Sequence, residues 1–143
     1  MSNYPLQAYH FDVEWGGKNT GFTEISGLSI FFEAIQYRDG SLKEDTFQKM
    51  PGITKFSNIV LKRGIRNGDF DMYNWIHRKN MGTIERRTIL IKLLDDDHTP
   101  IVTWRVKDAF PVRYSGPVLN TKSSEVAIEE LELTHEGIEI VEA

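Results

Sequence analysis

The sequence predicts a mainly β fold: an antiparallel β-barrel or tight sandwich of about seven to nine strands with one flanking α-helix. Two observations lead to this fold class. Several segments alternate apolar and polar residues with a period of two, which is typical of half-buried strands, and only one segment has helical spacing. A chain of 143 residues can bury one core of its own. We therefore expect a single domain over residues 1–143.

The N-terminal part of the chain predicts two strand-forming runs. Residues 9–15 alternate apolar and polar side chains until Gly16 and Gly17 break the pattern. The second run, residues 22–35, is rich in β-branched and aromatic residues. Gly27 lies in its middle, where we expect a bend or a bulge.

Three further strands are predicted downstream, at residues 56–61, 88–94 and 101–110. The last two are separated by residues 95–100, an aspartate-rich segment that ends in Thr-Pro and is typical of a turn. Pro111 is expected to interrupt the third strand because proline has no N–H to donate to a neighbouring strand.

A single helix of about three turns is predicted over residues 68–80. Apolar side chains that recur at i, i+3 and i+4 define its buried stripe: Met72, Trp75 and Ile76. Asn67 or Asp69 can cap its first turn through a side-chain oxygen.

The C-terminal part of the sequence changes its alternation phase twice. Apolar side chains fall on one parity, then on the other, and then on the first again: Val126 and Ile128, Leu131 and Leu133, Ile138 and Ile140. A shift of one residue moves every side chain to the other face of a sheet. We therefore expect a bulge near Glu129 and Glu130 and a turn near Gly137.

Residues 36–55 form a long polar segment without clean periodicity, in which Asp39-Gly40 and Pro51-Gly52 are turn signals. The segment exceeds the usual length of a hairpin connection, and loops of this length are often functional. We predict an extended loop or β-hairpin that becomes ordered against a partner.

Charge is distributed unevenly along the chain, although the net charge is only −4. Residues 55–92 contain nine basic and three acidic residues, whereas residues 123–143 contain seven glutamates and no Lys or Arg. Two interpretations are open. The segments are either two solvated faces, or complementary surfaces that meet between copies of the chain.

The sequence offers no catalytic, cofactor-binding or metal-binding constellation. The absence of cysteine excludes disulfides, thiolate ligands and cysteine nucleophiles. The acidic tetrapeptide at residues 95–98 lacks the spacing of a calcium loop and is better interpreted as a turn. The four histidines are scattered, and no GxSxG or P-loop motif occurs. No specific nucleic-acid binding is predicted, since a basic footprint is not accompanied by overall basicity or a known module.

Membrane insertion and export through a signal peptide are not predicted either. No apolar run approaches the roughly 20 residues that span a bilayer. Residues 1–10 have no basic region followed by an apolar one. We therefore expect synthesis in the cytoplasm without a signal peptide.

Several ordered landmarks together resemble a known superfamily. They are residues 21–28, residues 60–64, Trp75 in the helix, Arg86 and Arg87, Trp104, residues 108–111 and residues 125–137. In their order and spacing the chain resembles the tail-tube proteins of myophage tails, pyocin-like particles and extracellular contractile injection systems, and looks most like the extracellular group. It is similar in fold to the haemolysin-coregulated tube protein of type VI secretion.

The resemblance implies a structural rather than enzymatic role. Such subunits form sixfold homo-hexameric rings that stack into a rigid hollow tube, with strands of neighbouring subunits forming one sheet along the lumen. A sheath surrounds the tube, a baseplate with a spike and a terminal cap bound it, and protein cargo can occupy the lumen. Contraction of the sheath drives the tube through a target envelope, and the particle is released outside the cell. The long segment, residues 36–55, would reach the adjacent ring.

We predict that the contacts between subunits and between rings use the long segment and the charged residues. The predicted interface set is Tyr37, Arg38, Asp39, Gly40, Lys43, Phe47, Met50, Arg63, Arg66, Arg86, Arg87, Glu129, Glu130 and Glu132. Within it, the glutamates are expected to pair with the arginines across subunits.

Two other functions stay open. The first is a small β-barrel protein that binds an apolar ligand, which requires an enclosed interior cavity. The bulky core candidates argue against an empty interior: Phe11, Phe22, Phe32, Phe56 and Trp104. The second is an enzyme, which requires polar groups that converge in a pocket.

Overall fold

A computed structural model describes residues 10–16, 21–37, 40, 48–78 and 82–142. Its described part contains nine strands and one helix. They are β1 (Phe11–Glu14), β2 (Phe22–Ser26), β3 (Ile30–Tyr37), β4 (Gln48–Phe56), β5 (Ile59–Gly64), α1 (Asp71–His77), β6 (Arg87–Leu94), β7 (Pro100–Ser115), β8 (Ile128–Thr134) and β9 (Gly137–Glu142). The mainly β prediction is confirmed.

Seven of the strands form one antiparallel sheet in the order β1-β6-β7-β8-β5-β2, with β9 added beside β7. Strand β7 is long enough to pair with both C-terminal strands. Its first half lies opposite β9, from Val102 to Lys107, and its second half lies opposite β8, from Phe110 to Ser115. Strands β3 and β4 pair only with each other and form a separate hairpin.

The sheet folds over on itself around a single core. Buried side chains come from α1 and from strands in both halves of the strand order, including Val13 of β1, Leu61 of β5 and Leu131 of β8. The two edges approach each other where Trp15, directly after β1, meets Phe22 of β2 with ring centroids 6.0 Å apart. Among the described strands β1 and β2 are not hydrogen-bonded to each other, so the sandwich prediction is confirmed and the closed barrel is wrong.

The helix is shorter than predicted and begins later. It runs from Asp71 to His77, and the last two residues of the predicted helix, 79 and 80, lie outside the described residues. Gly68 adopts a positive φ of 79°, a left-handed conformation that an α-helix cannot contain, so the helix starts after it. Two residues of the predicted stripe, Met72 and Trp75, lie inside the core, and the third, Ile76, is half-buried.

A glycine turn separates β2 from the hairpin. Gly27 has a φ of 95°, and a Cβ atom there would lie 2.0 Å from the carbonyl oxygen of Asn58. Only glycine fits this position, which confirms the predicted bend. The strand predicted over residues 56–61 is in fact divided at Ser57 and Asn58, since Phe56 belongs to the hairpin and Ile59 to the main sheet.

Strand β7 continues through Pro111, where the sequence predicted an end. Pro111 is buried and pairs with Leu133 of β8, next to a register shift between Pro111 and Arg113. Irregular positions of this kind tolerate a residue without an N–H. Asp108, with a φ of 49°, changes the direction of the strand just before this point.

The predicted turn at residues 95–100 is confirmed. The Asp95 carboxylate accepts hydrogen bonds from the backbone N–H groups of Asp97 and Thr99, both at 2.9 Å. This side chain closes the connection between β6 and β7, so the acidic segment has a local structural role.

The predicted bulge at Glu129 and Glu130 is wrong. The pairing of β5 with β8 runs without a shift from Ile59 opposite Leu133 to Gly64 opposite Ile128. The apparent change of phase arises because Glu129 occupies an inward position, on the same face as Leu131. The predicted turn before Gly137 is confirmed, since β8 ends at Thr134 and β9 begins at Gly137.

Candidate interaction surface

A buried charge cluster joins β5, β8 and the start of α1. Arg63 of β5 is only 1% exposed. Its Nε donates a hydrogen bond to Glu129 Oε1 at 2.8 Å, and its Nη2 donates to Asp69 Oδ1 at 3.1 Å. Tyr114 Oη donates to the second Glu129 oxygen at 2.7 Å. The cluster therefore links three strands and the helix start through charge-assisted hydrogen bonds.

Arg63 also lies between the two edges of the folded sheet. Its guanidinium carbon is 5.3 Å from the centroid of the Trp15 ring and 5.9 Å from that of Phe22. Of the predicted interface residues, Arg63 and Glu129 are buried against each other within one chain. Glu129 is buried because β8 places it on the core face of the sheet.

The alkaline stability of the protein should depend on Tyr114. Burial, together with the hydrogen bond to Glu129, raises the pKa of Tyr114 from 10.0 to about 12. A raised folded-state pKa contributes stability that is complete below pH 10 and is lost as the pH rises towards 12. We expect the free energy of unfolding to fall over this window more steeply in the parent protein than in Tyr114→Phe, measured by urea denaturation.

The Tyr114→Phe comparison is needed because lysines titrate in the same window. The pKa of Lys62 is raised, first by its hydrogen bond to Glu24, and the pKa of Lys92 is raised by its hydrogen bond to Glu14. Both proteins keep these lysines, so the difference between their two pH profiles isolates the tyrosine. Parallel profiles would show that Tyr114 does not titrate with a raised pKa.

The predicted basic pair at the start of β6 is engaged within the chain. Arg86 donates to Glu136 at 2.8 Å and lies 4.7 Å from the Phe110 ring centroid. Arg87 stacks over Trp75 with its guanidinium carbon 4.4 Å from the centroid of that ring. The basic and acidic segments of the sequence therefore meet inside one molecule at Arg86. Arg66 is exposed in the loop between β5 and α1.

The outer face of the sheet carries a ladder of cross-strand ion pairs. Lys62 lies between Glu24 at 3.1 Å and Glu130 at 3.5 Å, and Glu132 accepts a hydrogen bond from Asn58 at 2.9 Å. The remaining ladder pairs are Lys92 with Glu14, and Glu139 with both Arg105 and Lys107. Solvent screens exposed pairs of this kind, so each contributes little to stability. Glu130 and Glu132 thus belong to a solvated polar face.

The hairpin of β3 and β4 exposes a large apolar surface. Every described residue of β3 is exposed, and large apolar side chains project from both strands: Ile30, Phe31, Phe32, Ile35, Tyr37, Met50 and Ile53. Phe32 was predicted in the core and is instead 54% exposed. Of the predicted interface residues here, Tyr37, Gly40 and Met50 are exposed, and Arg38, Asp39, Lys43 and Phe47 lie outside the described residues.

An apolar groove lies between β2 and the β6–β7–β9 part of the sheet. A cavity of about 350 Å³ is lined mainly by Phe11, Ile25, Leu28, Ile91, Leu93 and Trp104. A neighbouring cavity of about 320 Å³ shares Leu28 and Trp104 and extends to Ile138 and Ile140 of β9. Because Ile140 is itself exposed, the groove continues onto an open apolar surface.

Two of the histidines meet, which the sequence did not predict. His10 and His98 stack with ring centroids 5.2 Å apart, where the β6–β7 turn touches the start of β1.

In the part of the chain that the structure describes, no three His, Asp or Glu side chains converge as metal ligands. Nor does any helix of that part combine the length and the apolar character needed to cross a bilayer.

Comparison with known families assigns the chain. The model of the family described as T4-like virus tail tube protein gp19 matches residues 7–139. The chain belongs to this tail tube family. No curated protein sequence matches it. The predicted resemblance to tail tube proteins is therefore confirmed.

Solved structures extend this assignment. A chain of the sheath-tube complex of PVC, an extracellular contractile injection system in its extended state, is 31% identical with a TM-score of 0.89, covering 99% of this tail tube chain and 94% of its own. A chain from the anti-feeding prophage cap, the AFP tube terminating cap, is 34% identical with a TM-score of 0.89, covering 100% and 95%. Hcp1 from Flavobacterium johnsoniae is 15% identical with a TM-score of 0.60 over 94% and 97% of the chains, and shares the fold.

Proposed function

We propose that this chain is the repeating structural subunit of the inner tube of a contractile injection machine. Copies form sixfold rings, the rings stack into a rigid hollow tube, and contraction of a surrounding sheath drives the tube through a target envelope. Membership of the tail tube family and the likeness to the PVC and AFP chains support this proposal.

The hairpin of β3 and β4 is the observation that carries the proposal. A two-stranded hairpin is at best marginally stable in water by itself. This one displays several large apolar side chains, including Ile53, which is 81% exposed. An exposed apolar surface of this kind marks a contact with another molecule. A neighbouring copy supplies the missing cover.

The main sheet offers places where a neighbour can add. Among the described strands, β1 and β2 each have a partner on one side only, and β9 pairs only with β7. Open edges of this kind invite strand addition unless they are covered. The free edge of β9 borders the apolar groove at Ile138 and Ile140. Ring formation would therefore cover an open edge and an apolar groove in one step.

The role is structural rather than catalytic. Several of the charged groups that were predicted as site residues are engaged in ion pairs within the chain, such as Arg63 with Glu129 and Arg86 with Glu136. The partners we propose are the sheath around the tube, a terminal cap, a baseplate with its spike, and protein cargo in the lumen. The subunit is made in the bacterial cytoplasm and acts in a particle that is released from the cell.

Negative-stain electron microscopy of the purified protein tests the proposal. We expect rings of uniform diameter and stacked tubes, together with a particle mass well above 16.5 kDa. The apolar groove favours one competing function, a small ligand-binding protein. That function predicts a monomer at high concentration whose groove binds an apolar fluorescent dye in stoichiometric amount. A monomer of this kind would overturn the tube proposal.

A further inference from the structure

A second exposed apolar surface lies in the loop between β7 and β8, residues 116–127. Val118 is 93% exposed, Leu119 is 86% exposed and Val126 is 75% exposed. We call these three side chains the loop patch. None of them belongs to the predicted interface set or to the groove described above. Adjacent apolar side chains with almost their whole surface in water are unfavourable in a molecule that stays alone.

The loop patch is displayed by a structured loop. The Ile65 N–H donates to the carbonyl oxygen of Ala127 at 3.0 Å, which ties the end of the loop to the chain beyond β5. The Asn120 side chain accepts a hydrogen bond from the Lys122 N–H at 3.0 Å, and the Ser123 hydroxyl accepts one from the Glu125 N–H at 3.1 Å. These bonds shape the loop locally and leave its apolar side chains pointing away from the core.

The loop patch and the hairpin leave the sheet at opposite ends. The loop enters β8 at Ile128, which lies opposite Gly64, the last residue of β5. The hairpin joins the sheet at Ser57, before the first residue of β5, and His135 beyond the far end of β8 contacts the Ser57 carbonyl oxygen at 2.8 Å. With a rise of about 3.3 Å per residue, the length of β5 separates the two attachment points by roughly 17 Å.

We propose that the loop patch is the surface on which the hairpin of a second copy docks, and that this contact joins successive rings of the tube. The inference rests on the proposed function and adds the receiving surface to it. Two different apolar surfaces at opposite ends of a subunit make a head-to-tail contact, which repeats without closing and so builds a filament. Contacts around a ring would leave both ends uncovered, whereas stacking covers both at once.

The double substitution Val118→Asp and Leu119→Asp tests the proposal. We expect rings that no longer stack, because each contact would place two carboxylates against apolar hairpin side chains. Electron microscopy counts rings and tubes, and thermal unfolding checks the fold. Both side chains are largely exposed, so the melting temperature should change little. The milder pair Val118→Ser and Leu119→Ser repeats the test with uncharged side chains, and Val118→Ile with Leu119→Met is the control that keeps tubes.

The outcomes separate this inference from the function on which it rests. Rings without tubes support it. Tubes as long as those of the parent protein would overturn it, and so would monomers, because the patch would then belong to a contact within the ring. A parent protein that forms neither rings nor tubes contradicts the proposed function itself, and this inference with it.

A cross-link identifies the docking partner directly. The chain has no cysteine, so the pair Leu119→Cys and Met50→Cys introduces the only two thiols. In assembled tubes treated with a mild oxidant such as oxidised glutathione, we expect a ladder of disulfide-linked oligomers longer than one ring. Either single cysteine variant should give at most dimers. A ladder that stops at the size of a ring, or intact tubes without cross-links, would overturn the hairpin as the occupant of the loop patch.

Discussion

Replacing Arg63 with alanine should lower the free energy of unfolding by about 3–5 kcal/mol, because it leaves the buried Glu129 and Asp69 without their cation. Both carboxylates are nearly inaccessible to water, so solvent cannot replace the guanidinium. The substitution also removes the planar group that stacks between Trp15 and Phe22. Urea denaturation followed by tryptophan fluorescence measures the loss.

Lys62→Ala is the matched control for this prediction. Lys62 is the neighbour of Arg63 on β5 but points to the outer face, where it pairs with Glu24 and Glu130 in contact with water. Because solvent screens exposed pairs of this kind, Lys62→Ala should lower the free energy of unfolding far less than Arg63→Ala does. If Arg63→Ala were as mild as Lys62→Ala, the buried cluster would not stabilise the fold in the way its geometry indicates.

Shortening the hairpin should abolish tube elongation while the subunit stays folded. In the variant we propose, residues 36–49 are replaced by Asn-Gly, a two-residue turn that joins the paired positions Ile35 and Met50. The core lies in the main sheet and α1, and the hairpin supplies none of its buried side chains. The assembly, in contrast, loses the end of the surface that we expect to reach a neighbouring copy. Circular dichroism and electron microscopy measure the two effects separately.

The control for the hairpin variant keeps the hairpin and its apolar character. Ile35→Val with Met50→Leu changes two exposed side chains without shortening either strand, and tubes should form as in the parent protein. Long tubes made by the shortened variant would show that the hairpin has no role in elongation. A shortened variant that fails to fold would contradict the separation between core and hairpin described above.

Local sequence patterns correctly predicted the elements whose structure depends on residues close to them in sequence. The helix stripe of Met72 and Trp75 followed from a spacing of three residues. The turn that Asp95 closes followed from short-range hydrogen bonding, and the bend at Gly27 from a backbone conformation that suits glycine. For the long segment, residues 36–55, we predicted an extended loop or a β-hairpin, and the hairpin was correct. Its two strands, β3 and β4, pair with each other and are separated by only a short stretch of chain.

Predictions failed where distant parts of the chain decide the outcome. Glu129 looked like a polar residue that forces a bulge, but Arg63, far away in sequence, neutralises it in the core and keeps the strand regular. Pro111 looked like a strand end, but β8 pairs past it at an irregular position. Charge counts left open whether the basic and acidic segments form solvated faces or meet between copies, and only the fold shows that Arg86 meets Glu136 within the chain.

The candidate surfaces divide in the same way. The sequence pointed to residues 36–55 because an unusually long connection without periodicity can be recognised from the sequence alone. The loop patch was missed, although Val118 and Leu119 follow Gly116 and Pro117 and stand outside any alternating strand. That signal indicates a loop with apolar side chains, but only the fold shows that they stay exposed and lie at the end of the sheet opposite the hairpin.

The sequence by itself determined that this chain is a mainly β protein with one amphipathic helix and a long excursion, because periodicity and turn chemistry act over a few residues. Its order of landmarks also identified the tail tube family. Only the tertiary structure decided that the sheet folds into an open sandwich, that Arg63 and Glu129 are internal, and which apolar side chains stay exposed. Burial depends on contacts between residues far apart in the chain, and such contacts exist only once the sheet has folded.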